Sequence, residues 1–184
     1  MKPLNIIGIS GSLRSASLNT KLLRQAISKE VPELTITEYP LKDIPLFNGD
    51  LESDGDPEQI RDFKEAIQKS DGVLIVTPEY HQGIPGVLKN ALDWAGSDAN
   101  ENMLNGHFAG VIGATPTNGG TAGAQQQVIS TLKAAGATVM EHSSLKVAKA
   151  PDKFEENGQL QDKETDEALI SYLNTFADWL RKKI

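Results

Sequence analysis

Short apolar runs rich in Ile and Val alternate with amphipathic helical periods along the whole chain, and this alternation constrains the fold more than any other feature. The runs are Leu4–Ser10, Thr35–Glu38, Gly72–Thr77, Phe108–Ala114 and Ala137–Met140. The third and fourth are nearly continuous in apolar character, as expected of parallel strands covered on both faces. Between them lie stripes at helical spacing: Leu22, Leu23, Ala26 and Ile27; Ile60, Phe63, Ala66 and Ile67; Val87, Leu88, Ala91, Leu92 and Ala95; Val128, Ile129, Leu132 and Ala135. A last stripe, Ala168, Leu169, Tyr172, Leu173, Phe176 and Leu180, has an acidic first turn and a basic last turn, in accord with the helix dipole. Five strands alternating with five helices specify a doubly wound α/β domain with right-handed crossovers. We expect a single domain over residues 1–184. Pro40–Pro57 reads as a surface loop. Val147–Asp162 reads as a polar loop, part of which could extend the fifth strand.

In such a sheet, ligands bind beyond the carboxyl ends of the strands. Three loops fall there. The first, Ser10–Thr20 (SGSLRSASLNT), joins a buried strand to a helix. It carries hydroxyls at Ser10, Ser12, Ser15, Ser17 and Thr20, the amide of Asn19, the cation Arg14 and no acid. Donors, a cation and a helix N-terminus together suit a phosphate monoester. Neither the dinucleotide fingerprint G-x-G-x-x-G nor the Gly-Lys-Ser/Thr ending of a P-loop is present. A Ser-rich turn whose Ser17 caps the helix is also expected. It leaves Arg14 unexplained.

The second loop, Thr77–Gly86, is stiffened by Pro78 and Pro85, and Gly83 and Gly86 permit close backbone approach. Such a loop suits a flat heterocycle hydrogen-bonded along its edge, with Tyr80 or His81 against the ring. An ordinary strand-to-helix turn fits these residues equally well. The third loop, Thr115–Gly123, is small, polar and glycine-rich, and its weight comes from its place beside the other two.

The absence of cysteine removes disulfides, thiolate nucleophiles and Cys-based metal sites. His81, His107 and His142 are scattered, so no metal site is expected. A formal net charge of -7 argues against nucleic acid as a partner. No apolar stretch approaches the length of a membrane span, and Met1-Lys2-Pro3 leads straight into the first strand. The expectation is a cytoplasmic protein with no membrane partner.

Two segments carry a resemblance. They are Gly11-Ser12-Leu13-Arg14 with Ser17 and Asn19, and Thr77-Pro78-Glu79-Tyr80 continuing through Gly83-Ile84-Pro85-Gly86-Val87-Leu88-Lys89-Asn90-Ala91-Leu92-Asp93-Trp94. In these segments, and over nearly its whole length, the chain resembles the NADPH-dependent FMN reductases, flavodoxin-like proteins that include quinone, chromate and azo-dye reductases. The resemblance implies a three-layer sandwich with a five-stranded parallel sheet in the order 2-1-3-4-5. It implies FMN as cofactor and NADPH or NADH as co-substrate. The flavin would carry the chemistry, with electrons passing to a quinone, flavin, azo compound or metal oxyanion and no catalytic side chain required. It assigns the FMN phosphate to Ser10, Ser12, Arg14, Ser17, Asn19 and Thr20. Pro78, Glu79, Tyr80 and His81 would line the isoalloxazine, and Thr115, Thr117, Asn118 and Gly119 would complete the site. A homodimer or homotetramer is implied, with helix Gly86–Gly96 as a candidate contact surface, although Trp94 reads slightly better as an internal packing residue. Glu79 and Asp93 read as a loop-orienting and a helix-surface residue rather than an acid/base pair. A flavodoxin-type electron carrier or a non-catalytic flavin-binding regulator is the alternative. Arg14 and the low aromatic content, 5%, count against the carrier.

Overall fold

The computed structural model describes residues 2–184. The elements run β1 (Leu4–Ser10), α1 (Leu18–Ser28), β2 (Leu34–Glu38), α2 (Gly49–Ser53), α3 (Glu58–Gln68), β3 (Gly72–Val76), α4 (Gly86–Ala95), β4 (Phe108–Ala114), α5 (Ala122–Ala134), β5 (Thr138–Val139), β6 (Leu145–Val147) and α6 (Lys163–Arg181). The strands pair in parallel in the order β2-β1-β3-β4-β5, as expected for a flavodoxin-like sheet.

Side chains alternate across the sheet, because successive strand residues face opposite ways. Leu4 and Ile6 of β1, with Leu74 and Val76 of β3, pack against Leu22 and Leu23 of α1 and Leu169, Leu173 and Phe176 of α6. Ile9, Val73 and Ile75 face the other side, against Phe63 and Ile67 of α3, Leu88 and Leu92 of α4, and Val128 and Leu132 of α5. Truncating such a fully buried side chain as Phe63 or Phe176 costs about 3–5 kcal/mol.

The far edge differs from expectation. The fifth strand is shorter than Ala137–Met140 and pairs with β4 only at Phe108↔Thr138 and Ala109↔Val139. Exposed Glu141, His142 and Ser144 then carry the chain off the sheet, and alternating buried Leu145 and Val147 bring it back as β6 beside Ile112–Ala114. The segment after β6 is also more ordered than a polar loop. It holds a 3-10 turn at Ala150–Lys153 and buries Phe154.

Pro40–Pro57 is likewise more than a surface loop. It contains α2 and lies as a strap along α4. Pro45 O accepts from Trp94 Nε1 at 2.9 Å and from Asn90 Nδ2 at 2.8 Å, and Phe47 meets Trp94 edge-on. Lys64 of α3 lies 2.7 Å from Asp56 and 3.7 Å from Glu52, all three nearly buried, so each charge has an opposite partner. Trp94 is fully buried, consistent with a packing role.

Candidate functional site

The loops after β1, β3 and β4 converge at the carboxyl ends of these central strands. Loop one is pinned at its root, where Gly11 N donates to Val76 O at 2.9 Å. A Cβ on Gly11 would stand 3.1 Å from Leu88 and 3.2 Å from Pro78, so the first loop lies directly on the root of the second. Ser17 caps α1, its hydroxyl accepting from Thr20 N at 3.2 Å. Its own proton stays free to donate.

The N–H groups of Ser12, Leu18 and Asn19 have no acceptor among the described residues. Arg14 is exposed and takes part in none of the ion pairs among the described residues. Free first-turn amides, a helix dipole and an unengaged guanidinium form an anion cradle. The donor set therefore fits a phosphate monoester.

A cleft of about 250 Å³ opens beside this cradle, lined by Ser12, Arg14, Ser17, Tyr80, Thr115 and Thr117 among others. A groove of about 360 Å³ adjoins it, lined by Leu13, Tyr80, Pro85 and Val87 among others. Ser12, Arg14 and Tyr80 border both.

Loop two is a tight hairpin turn at this point. Tyr80 N donates to Gly83 O at 3.1 Å and Gly83 N to Tyr80 O at 2.9 Å. The N–H groups of Glu79, His81 and Gln82 have no protein acceptor among the described residues, so the loop carries three open donors. Pro78 has none to offer. Its carbonyl accepts from the Thr77 hydroxyl at 2.8 Å.

The structure brings Ser12, Arg14, Ser17, Asn19, Pro78, Glu79, Tyr80, Thr115 and Thr117 to one cleft. Their roles differ from a simple ring of donors. The Asn19 side chain is 3% exposed and latched to β4: its Nδ2 donates to Ala114 O at 2.9 Å and its Oδ1 accepts from Ala114 N at 2.8 Å. Its backbone N–H remains for an anion. Ser10 and Thr20 bond each other at 2.8 Å and border a neighbouring groove that shares Ser12 and Arg14 with the cleft and adds Arg24 and Lys42. Asn118 and Gly119 are exposed and stand outside the cleft lining, as does His81. Thr115 and Thr117 share a hydroxyl contact of 3.1 Å.

Glu79 and Asp93 are not paired. Glu79 Oε2 accepts from Ala124 N at the start of α5, at 3.0 Å, and Asp93 pairs with Lys89 on α4. Leu18, Ala114 and Pro116 line the cleft although sequence reasoning did not single them out. Gln125 was also missed. It is buried and ties loop three down, donating to Thr121 Oγ1 and to Leu145 O, both at 3.0 Å. The only signal for it was its place in a run of three glutamines. No helix among the described residues is long and apolar enough to cross a membrane.

The chain is similar over most of its length to several known proteins. A family model described as NADPH-dependent FMN reductase matches residues 4–152. An NAD(P)H-dependent FMN reductase of Pseudomonas aeruginosa is 35% identical over 179 residues, covering 97% of this chain and 96% of that protein. A 2-hydroxy-1,4-benzoquinone reductase of a Burkholderia species is 32% identical over 180 residues, with 98% of each chain covered. Among solved structures, FerB of Paracoccus denitrificans, a flavoenzyme NAD(P)H:(acceptor) oxidoreductase, superposes with a TM-score of 0.87 at 32% identity. That match covers 97% of this chain and 98% of FerB.

Proposed function

The chain belongs to the NADPH-dependent FMN reductase family, and from that premise we propose that it passes electrons from a reduced nicotinamide to a small quinone. It is an oxidoreductase that uses FMN and NAD(P)H. FMN, when bound, supplies the hydride acceptance and the onward electron transfer. The rest falls to the residues of this chain. The observation that carries the reading is the cluster of donors at the start of α1 that are open among the described residues: the N–H groups of Ser12, Leu18 and Asn19 beside Arg14, which forms no ion pair among them. In our reading these groups, with the Ser12 and Ser17 hydroxyls, hold the cofactor's phosphate. Glu79 lines the cleft and His81 and Gln82 follow it in the turn; in our reading their free N–H groups meet the ring edge, where fixed dipoles stabilise negative charge. Thr115 and Thr117 close the cleft from the third loop. Ser10 and Thr20 support loop one from its far side.

A quinone is chosen as acceptor because the Burkholderia relative, which matches over nearly its full length, is named for one. A plain electron carrier would lack a use for nicotinamide. The test mixes purified protein, FMN and NADPH or NADH, and follows loss of the nicotinamide absorbance with 1,4-benzoquinone, ferricyanide, an azo dye or chromate. Rapid oxidation with the quinone is expected. No oxidation with any acceptor overturns the reading.

We also infer a homodimer or homotetramer. Leu46 is 82% exposed and Leu13 59%, and together with Phe47 and Tyr80 they leave apolar surface on the flanks of α4. Light scattering on the eluting protein tests this: a monomer mass refutes it.

A further inference from the structure

The Tyr80–Gly83 turn is built against its own preference. Both central residues are left-handed, His81 at φ 52° and Gln82 at φ 64°. Turns of this kind favour Asn or Gly at those positions, because other side chains crowd the backbone there. Such a turn persists only when its surroundings hold it.

The holding comes from α5. Glu79 Oε2 accepts from Ala124 N at 3.0 Å, on the near side of the turn. On the far side, Gln127 grips twice: its Oε1 accepts from Ile84 N at 3.1 Å, and its Nε2 donates to Gln82 O at 3.2 Å. Ala124 and Gln127 stand three residues apart and so share one helix face. Between them and the turn there is no slack, for a Cβ on Gly123 would lie 3.0 Å from Gln82 O and 3.1 Å from Glu79 Oε2. Glu79 Oε2, Gln82 O and Ile84 N are thus engaged by α5, while the N–H groups of Glu79, His81 and Gln82 are left open among the described residues.

We infer that Gln127, with Glu79, is a positioning residue for the flavin: it holds a strained turn at the height where the turn's open amides reach the ring. The inference rests on the reading that loop two faces the isoalloxazine. It predicts that loosening the latch weakens the reduced flavin more than the oxidised one, because charge builds on the ring edge when it is reduced.

The test uses FMN-loaded protein with Gln127→Met, which keeps length and loses both bonds, and the double variant Gln127→Met/Gln82→Gly. Glycine accepts positive φ freely, so it lets the turn hold itself. Three readouts are taken: hydrogen exchange of residues 80–84, the FMN dissociation constant, and the two-electron potential of bound FMN by dye equilibration. For Gln127→Met, exchange should quicken at least tenfold. Affinity for reduced FMN should fall about tenfold more than for oxidised FMN, a drop of about 30 mV for a two-electron couple. The double variant should recover at least half of that drop. An unchanged potential, with or without faster exchange, overturns the inference, as does a drop that Gln82→Gly fails to relieve. Arg14→Ala is run alongside. If it too leaves FMN affinity unchanged, the cofactor site itself is misplaced; if it weakens FMN while Gln127→Met does nothing, only the latch fails.

Discussion

The two ends of the sheet are built from similar polar residues and use them in opposite ways. At the amino end, donors and acceptors close on one another. Asn5 N donates to Asp71 Oδ2 and Asp71 N to Asn5 O, both at 2.7 Å. The Ser70 hydroxyl donates to Ile67 O at 2.8 Å and lies 3.0 Å from His107 Nε2. Gly106 N reaches Gly136 O at 3.0 Å. A Ser, a His and an Asp stand together there, yet little hydrogen-bonding capacity is left over. At the carboxyl end, loops one and two leave amides and a guanidinium open. Residue type alone does not mark a site; uncommitted capacity does, since an unpaired polar group is costly unless water or a ligand meets it.

Asn19 offers the strongest way to break this contrast, because it sits at the open end while its side chain is committed. Asn19→Ala should leave two buried backbone groups of Ala114 unpaired, at about 1–3 kcal/mol each. Urea unfolding of the cofactor-free protein measures this, and a loss below about 0.5 kcal/mol would show that the latch is not structural. Arg14→Ala should do the reverse. It should weaken FMN binding by about 1.5–3 kcal/mol in fluorescence titration and leave unfolding of the cofactor-free protein unchanged. Ser17→Ala lies between the two: it removes a helix cap worth about 0.5–2 kcal/mol and a phosphate donor, so both stability and FMN affinity should fall.

The smallest effect belongs to the closed end. Burial holds the His107 ring below its ordinary pKa of 6.5, with Asp71 pulling weakly the other way. The folded state thus prefers the neutral ring, while the unfolded chain takes up a proton near pH 6.5. The unfolded state binds more protons below that point, so stability should drop as pH falls through 6.5 toward the folded pKa and should stay level above it. His107→Gln should flatten this slope without altering FMN affinity. A slope that survives the substitution assigns the effect elsewhere.

Most of the fold was legible because it rests on local periodicity. Short, unbroken, Val/Ile-rich runs such as Gly72–Val76 read as strands covered on both faces. The split of the sheet edge into β5 and β6 was not legible, since each piece has only two or three residues and borrows its order from β4. The strap was hidden for a similar reason: its anchors, Asn90, Trp94 and Lys64, lie on other elements. In the site, loop one showed through its density of hydroxyls around one cation and no acid. The latch roles of Asn19, Gln125 and Gln127 did not, because a glutamine or asparagine on a helix reads alike whether it faces solvent, a loop 43 residues away or a strand 95 residues away.

The Asn19–Ala114 pair also bears on the order in which the molecule assembles. It joins positions 95 residues apart, and the chain between them contains β2, α2, α3, β3 and α4. Closing so long a loop costs entropy that only the intervening contacts can offset, so the start of α1 should reach its final place only once β4 has entered the sheet. If the start of α1 holds a phosphate, as we propose, that site should form late in folding. FMN finds no site to bind early on the pathway. Added to a refolding chain it should leave the folding rate alone, and added to the native protein it should slow unfolding.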